Sequence, residues 1–139
     1  MLYKNDARNL DDMLCFDKVL LDAPCSGSGT ININDRKLDK IDFEDLIKRS
    51  SKLQYQLLKK AVNVTKRGGT IIYSTCSILN EENEQNIANI LKSGKVKIVP
   101  IDGSTFKGAH TVKSKIVGTL KILPTNLYEG FFIAKLVKI

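Results

Sequence analysis

Two cysteines stand where apolar stretches of the chain give way to loops. Cys25 lies in "LLDAPCSGSGT" (residues 20–30), and Cys76 ends "TIIYSTC" (residues 70–76). The thiolate form of cysteine is a nucleophile, and a second group beside it can move a proton in the same reaction. Free cysteine is also among the most buried residue types, so packing alone would explain either position. From the residues alone, both interpretations stay open.

The loop around Cys25 has the composition of a ligand-binding turn. Pro24 restricts the backbone, and Gly27 and Gly29 allow a ligand to approach closely. Asp22 either caps this turn or binds a polar group of a cofactor or substrate. "SGSGT" matches neither GxxxxGK[ST] nor GxGxxG, so these nucleotide phosphate loops are excluded.

Strand and helix patterns place both cysteines beside one crevice. "FDKVLL" (16–21) is a short, largely apolar run, which predicts a strand buried on both faces. Residues 42–66 carry apolar side chains at helical spacing, and "RGG" (67–69) is predicted to end that helix. A second buried strand, 70–76, follows at once, so the crossover makes the two strands parallel. Ligands of α/β sheets bind beyond the carboxyl ends of such strands.

A second helix after Cys76 bears on the reactivity of its thiol. Asn80 is the predicted N-cap, acidic residues fill the first turn, and Gly94 ends the helix. The positive end of the helix dipole then faces the strand end, where it would stabilise a thiolate.

The end of the chain changes character. "KVKIVPI" (95–101) and "EGFFIAKLVKI" (129–139) predict two strands, which we expect to pair antiparallel because no helix separates them. The polar stretch 102–119 is left unassigned. The predicted fold class is α/β, with parallel strands followed by antiparallel C-terminal strands.

Composition narrows the classes of partner. The 139 residues carry 22 Lys and Arg against 15 Asp and Glu, a formal charge of +7, which favours nucleic acid because neutralised phosphates release counterions. Three cysteines without a CxxC pair, and one histidine, fit neither a disulfide framework nor a zinc site. We therefore expect one domain, no metal and an intracellular location. No apolar run approaches the ~18 residues of a membrane span, and no membrane partner is expected.

Three blocks of sequence resemble the Nop/Sun family of S-adenosylmethionine-dependent RNA cytosine-5 methyltransferases. They are "VLLDAPCSGSGT", "KRGGTIIYSTCSILNEENE" and "EGFFIAKL", and the "DAPCSG" and "STCS" motifs are highly specific in this order and spacing. The resemblance covers nearly the whole chain, most strongly 16–30, 53–91 and 128–137. It implies a Rossmann-like class I methyltransferase fold, truncated here to its C-terminal strands.

The resemblance implies roles for the motif residues. Cys76 matches the nucleophile, and Cys25 matches the cysteine that assists breakdown of the covalent intermediate. C5 of cytosine is too electron-poor to attack a methyl sulfonium directly, so a thiolate first adds at C6. Asp22 and Asp6, the latter in "NDAR", match aspartates that bind S-adenosylmethionine, with Asp22 also near the target base.

The same resemblance assigns the substrate. Pro24, Ser26 and Gly27 are expected to bind the RNA, which is ribosomal or transfer RNA. The enzyme would lie in the nucleus or nucleolus of a eukaryote, or in the cytoplasm of a bacterium or archaeon.

Residues 1–139 correspond to the C-terminal part of the catalytic domain. The family's upstream glycine-rich loop and ribose-binding acid have no counterpart here, so we expect weak or no binding of S-adenosylmethionine by this chain alone. Two other hypotheses stay open. One is a non-catalytic RNA-binding or assembly module on a degenerate methyltransferase fold. The other is a dithiol redox or metal role for Cys15, Cys25 and Cys76.

Overall fold

The computed structural model describes residue 2, residues 4–30 and residues 43–139. The strands in these residues are β1 (Phe16–Asp22), β2 (Thr65–Thr75), β3 (Val96–Ile98), β4 (Thr111–Val112), β5 (Leu120–Ile122) and β6 (Phe131–Lys138). The helices are α1 (Phe43–Val64) and α2 (Glu84–Leu91), and 3-10 turns occur at Ala7–Asn9 and Gly103–Thr105.

The strands form one mixed sheet in the order β1-β2-β6-β5-β4, with β3 also paired to β6. Only β1 and β2 are parallel among these pairs; the others are antiparallel. The predicted α/β fold class is confirmed. The two strands predicted within 95–101 and 129–139 are β3 and β6, and they pair antiparallel as expected.

The core lies between the sheet and the helices. One stripe of α1 is buried, with Leu58, Val62 and the polar Gln54 almost inaccessible, while lysines occupy much of its other side. The Tyr73 and Phe132 rings meet edge to face with centroids 6.3 Å apart, which ties β2 to its neighbour β6. The core cluster consists of Ala23, Leu58, Ala61, Val62, Ile71, Tyr73, Ile87, Ile90, Val96, Phe132, Ala134 and Leu136.

The predicted helix stop at 67–69 is wrong, because these residues belong to β2. The helix has already ended at Val64, and Thr65 Oγ1 donates a buried hydrogen bond of 2.6 Å to the Ala61 carbonyl. The β1–β2 register shifts over the same stretch, where Gly68 has φ +77°. The two glycines therefore accommodate an irregular strand start rather than a helix end.

The predicted N-cap of the second helix is also wrong. Helix α2 begins at Glu84 with Asn83 as N-cap, and the Asn80 carbonyl instead accepts the Asn83 N–H in a preceding turn. Gly94, at φ +67°, follows the end of the helix as predicted.

Strand β1 is partly buried on one face and exposed on the other, whereas the sequence predicted burial on both. Val19 and Leu21 pack against the core, but Leu20 is 72% exposed. Within the described residues β1 is the end strand of the sheet, and α1 covers only one of its faces. The stretch 102–119, left unassigned from sequence, contains the second 3-10 turn and β4.

Three loops meet at Gly29 without space for a side chain. Its N–H donates to the Cys76 carbonyl at 2.9 Å, and its carbonyl accepts the Gly130 N–H at 2.7 Å. A Cβ on Gly29 would overlap the Gly130 carbonyl and lie 2.9 Å from the Cys76 oxygen. These neighbours are backbone atoms, so the position requires glycine.

We predict that Gly29→Ala lowers the free energy of unfolding by about 3 kcal/mol, because three backbone segments must move apart. Gly103→Ala is the matched control, since a Cβ there comes no closer than 3.4 Å to the Leu120 side chain. Urea unfolding followed by circular dichroism measures both. Equal stability of the two variants would contradict the close contact at Gly29.

Candidate active site

Cys25 and Cys76 meet at the carboxyl ends of β1 and β2. Their Sγ atoms lie 2.6 Å apart, and both side chains are partly exposed. The parallel pairing explains this proximity, because Asp22 at the end of β1 is in register with Ser74 near the end of β2. The predicted convergence of the two thiols at adjacent strand ends is confirmed.

The surroundings of Cys25 set the protonation state of its thiol. Burial, followed by the hydrogen bond with Cys76, raises the pKa of Cys25 to about 12. Cys25 therefore stays a thiol at neutral pH and can donate a hydrogen bond to the Cys76 sulfur. The arrangement suits a pair in which Cys76 is the nucleophile and Cys25 a hydrogen-bond donor beside it.

Other contacts bind the two cysteine loops together. Ser28 Oγ and Ser77 Oγ share a hydrogen bond of 2.9 Å, and Ser28 Oγ also accepts the Ile78 N–H at 3.1 Å. Together with the Gly29–Cys76 backbone bond, these contacts hold residues 25–29 against residues 76–78.

Asp22 lies exposed at the carboxyl end of β1, three residues before Cys25. One of its oxygens accepts a 2.8 Å hydrogen bond from Ser74 Oγ, which orients the carboxylate. Pro24 is exposed, and Ser26 and Gly27 are half-buried, with Gly27 at φ +73°. These predicted site residues share one loop with Cys25.

Asp6 lies elsewhere, at the N-cap of the first 3-10 turn. Both its oxygens accept hydrogen bonds from the Arg8 side chain, and one also accepts the Arg8 N–H. These bonds lower the pKa of Asp6 to about 2. Within the described residues, Asp6 shares no hydrogen bond with Asp22 or with the cysteine pair.

Three buried polar residues behind the cysteines were missed from sequence. The Glu82 carboxylate accepts the Ser26 N–H at 2.8 Å, the Ser26 hydroxyl at 2.6 Å and the Gln54 amide at 3.0 Å. The Gln54 amide also donates to the Pro24 carbonyl at 2.8 Å. In the sequence, Gln54 belongs to the polar part of an amphipathic helix and Glu82 to the acidic first turn of the next.

The third missed residue, Asn83, bonds to the strand end that carries Cys76. Its Oδ1 accepts a 2.5 Å hydrogen bond from Thr75 Oγ1, and its Nδ2 donates to the Ser77 carbonyl at 2.7 Å. The only sequence signal was the position of "EENE" shortly after "TCS", which was interpreted as helix capping.

Cys15 does not join the cysteine pair, since its side chain is exposed and separate. Among the described residues, no group of three or more histidine, cysteine or acidic side chains could hold a metal ion. In the same part of the chain, no helix has the length and apolar character needed to cross a bilayer.

Comparison with known proteins identifies the family. The model of the family described as 16S rRNA methyltransferase RsmB/F matches residues 1–137. The chain belongs to this family. Solved structures agree with that assignment. NSun6 from Pyrococcus horikoshii, crystallised with SFG, superimposes with a TM-score of 0.79 at 32% identity, covering 99% of this chain and 34% of NSun6.

Curated RsmB/F-type relatives are much longer than this chain. The 28S rRNA (cytosine-C(5))-methyltransferase of Mus musculus is 39% identical over 134 residues, which are 88% of this chain and 17% of the mouse protein. Ribosomal RNA small subunit methyltransferase F of Aliivibrio salmonicida is 39% identical over 127 residues, covering 88% of this chain and 26% of that enzyme.

We predict that iodoacetamide modifies Cys25 at least about tenfold more slowly than the exposed Cys15 at pH 8, because only thiolates react and the pKa of Cys25 is raised to about 12. The Cys25 rate should then rise with pH up to about 12. Trypsin places the three cysteines in separate peptides, so mass spectrometry measures each one. Equal rates for Cys25 and Cys15 at pH 8 would contradict the burial of the Cys25 thiol.

Proposed function

We propose that residues 1–139 are the C-terminal part of the catalytic domain of an RNA cytosine-C5 methyltransferase that uses S-adenosylmethionine. The observation that carries the proposal is the pair of thiols, 2.6 Å apart, at adjacent strand ends in a member of the RsmB/F family. Relatives named as rRNA cytosine-C5 methyltransferases support the reaction.

In the proposed reaction, Cys76 Sγ bonds to C6 of the target cytosine and raises the electron density at C5. When bound, S-adenosylmethionine supplies the methyl group that C5 takes. The C5 proton then leaves to a base in the crevice, the C6–S bond breaks, and its electron pair returns to Cys76. The Cys25 thiol assists this last step by donating a hydrogen bond to the departing sulfur.

The residues at the crevice fit part of a cofactor site. Asp22 offers an exposed carboxylate at the carboxyl end of β1, oriented by Ser74, where α/β sheets bind ligands. We assign Asp22 to S-adenosylmethionine and to the polar edge of the base. SFG, with which NSun6 was crystallised, is an analogue of S-adenosylmethionine and supports the choice of cofactor. Asp6 is proposed for the adenine end, where Arg8 would have to share its carboxylate.

The proposed substrate is ribosomal RNA. The relatives' names support it, and the formal charge of +7 favours a phosphate backbone. Pro24, Ser26 and Gly27 lie in the same loop as Cys25, where they would contact the target nucleotide. These residues neighbour Cys25, whose sulfur contacts Cys76 Sγ, so they would orient the base rather than supply affinity.

We predict that substitutions of the two cysteines have different effects in a chimaera, in which this chain replaces the aligned segment of the Aliivibrio enzyme. Cys76→Ala should abolish methyl transfer, at least about a thousandfold, because no adduct forms at C6. Cys25→Ala should leave a covalent RNA–protein adduct, because release of Cys76 is impaired. Denaturing gels with labelled ribosomal RNA and tritiated S-adenosylmethionine distinguish these outcomes.

The parent chimaera, folded by circular dichroism and active, is the control. An active Cys76→Ala variant, or a Cys25→Ala variant without any adduct, would contradict the assignment of the two roles. A folded chimaera that binds ribosomal RNA without methylating it would favour the non-catalytic RNA-binding module.

A further inference from the structure

Consecutive residues of the turn before α2 contact the two cysteine loops separately. Glu82 bonds to Ser26, the residue after Cys25, and Asn83 bonds to Thr75 and Ser77, on either side of Cys76. Both side chains are fully buried. Two adjacent residues of one short turn therefore reach both halves of the thiol pair.

Glu82 fixes the Cys25 loop together with Gln54. The Gln54 amide bonds to the carbonyl of Pro24 and to Glu82, while Glu82 takes both the N–H and the hydroxyl of Ser26. The backbone is thus held on both sides of Cys25. These groups are buried, so losing a partner leaves a desolvated donor or acceptor, which keeps the loop in one conformation.

Asn83 fixes the Cys76 side by a different pattern. Its oxygen accepts from Thr75 and its nitrogen donates to the Ser77 carbonyl, so the amide spans the residue that carries the nucleophile. Strand pairing fixes Thr75 itself, through its register with Phe132 on β6. Past that residue β2 ends, and the Asn83 amide continues the support.

The turn is anchored to both the sheet and a helix. The Tyr73 hydroxyl donates to the Glu82 carbonyl at 2.5 Å, and Asn86 donates to the same carbonyl at 3.3 Å. Asn86 also bonds to the Gln54 side chain at 3.1 Å. Glu82 and Asn83 are therefore held rigidly enough to fix what they contact.

We propose that Glu82 and Asn83 are paired positioning residues that hold the Cys25 and Cys76 sulfurs in contact, each through the loop that it binds. This role rests on the proposed function, because two thiols need a fixed separation only if both act on one substrate. Neither residue touches the reacting atoms.

The test measures the proximity of the sulfurs directly. Diamide, an azo oxidant, takes two protons and two electrons from a pair of thiols, so that its N=N bond becomes a hydrazine as the two S–H bonds are replaced by one disulfide bond. Its rate of closing Cys25–Cys76 reports how often the sulfurs meet, and the assay requires neither RNA nor cofactor. Cys15→Ser serves as the background, since Cys15 is exposed and outside the pair.

The same substitution at three consecutive buried positions gives the comparison. Glu82→Leu and Asn83→Leu should each slow disulfide closure by about tenfold, because the effective concentration of one thiol near the other falls. Glu84→Leu should slow closure much less than either. Glu84 is as buried, but it bonds directly to Lys121 and Ser114, and its link to the Cys76 loop is indirect, through the hydrogen bond of Lys121 to the Ile78 carbonyl.

A conservative variant separates positioning from general destabilisation. Glu82→Gln can still accept from the Ser26 N–H and donate to its hydroxyl, so closure should return to the parent rate. Should a leucine variant fail to fold, two other variants replace it. Gln54→Met removes the bonds of Gln54 to Pro24 and Glu82, Thr75→Val removes the bond to Asn83, and both should slow closure. Melting by circular dichroism accompanies every variant.

The proposal would be overturned if disulfide closure were as fast in the folded leucine variants as in the parent. The same holds for Gln54→Met and Thr75→Val where those variants replace them. Equal slowing by Glu84→Leu would also overturn it. A failure of the proposed function is a separate result, namely no methylation and no adduct in the chimaera while the disulfide rates still differ as expected.

Discussion

The parallel pairing of β1 with β2 is the constraint on which the rest of the structure depends. In-register parallel strands end at the same edge of a sheet, and here the pairing continues to Asp22 and Ser74. The Ala23 N–H still donates to the Ser74 carbonyl at 2.9 Å, one residue beyond the strand. The two strands then separate into loops that carry Cys25 and Cys76 next to each other.

Beyond that edge, hydrogen bonds of buried polar groups, rather than strand pairing, hold the loops in place. Glu82 is satisfied by neutral donors from Ser26 and Gln54, whereas Glu84, two residues later, is paired with the Lys121 cation. Such networks have directional requirements that an apolar core lacks, so they specify one arrangement of the loops. A hydrophobic contact at the same place would tolerate several.

Local pattern was enough to predict the strands that end at the two cysteines, because a buried strand leaves a short apolar run in the sequence. It was not enough for Glu82, since an acid near a helix start is usually solvated and stabilises the helix dipole. The choice between Asn80 and Asn83 as N-cap also lies outside local sequence. Both are good caps, and partners from β2 decide which one is buried.

Two other predictions were wrong because local sequence does not show tertiary contacts. "RGG" is a common helix ending, but β2 begins at Thr65, so the two glycines lie within the strand. Strand β1 has the composition of a central strand, yet Leu20 faces outward in the described residues. Burial of a strand's second face depends on neighbours that its own sequence does not specify.

The contact of Gly29 with Gly130 also governs where the chain can change length. Residues 29, 76 and 130 touch through backbone atoms, so an added residue near any of them would displace the others. The exposed turn at Asn126 to Tyr128 has no such contact and joins elements already paired in the sheet. Evolution or a protein engineer could lengthen that turn while the spacing of the two thiols stayed the same.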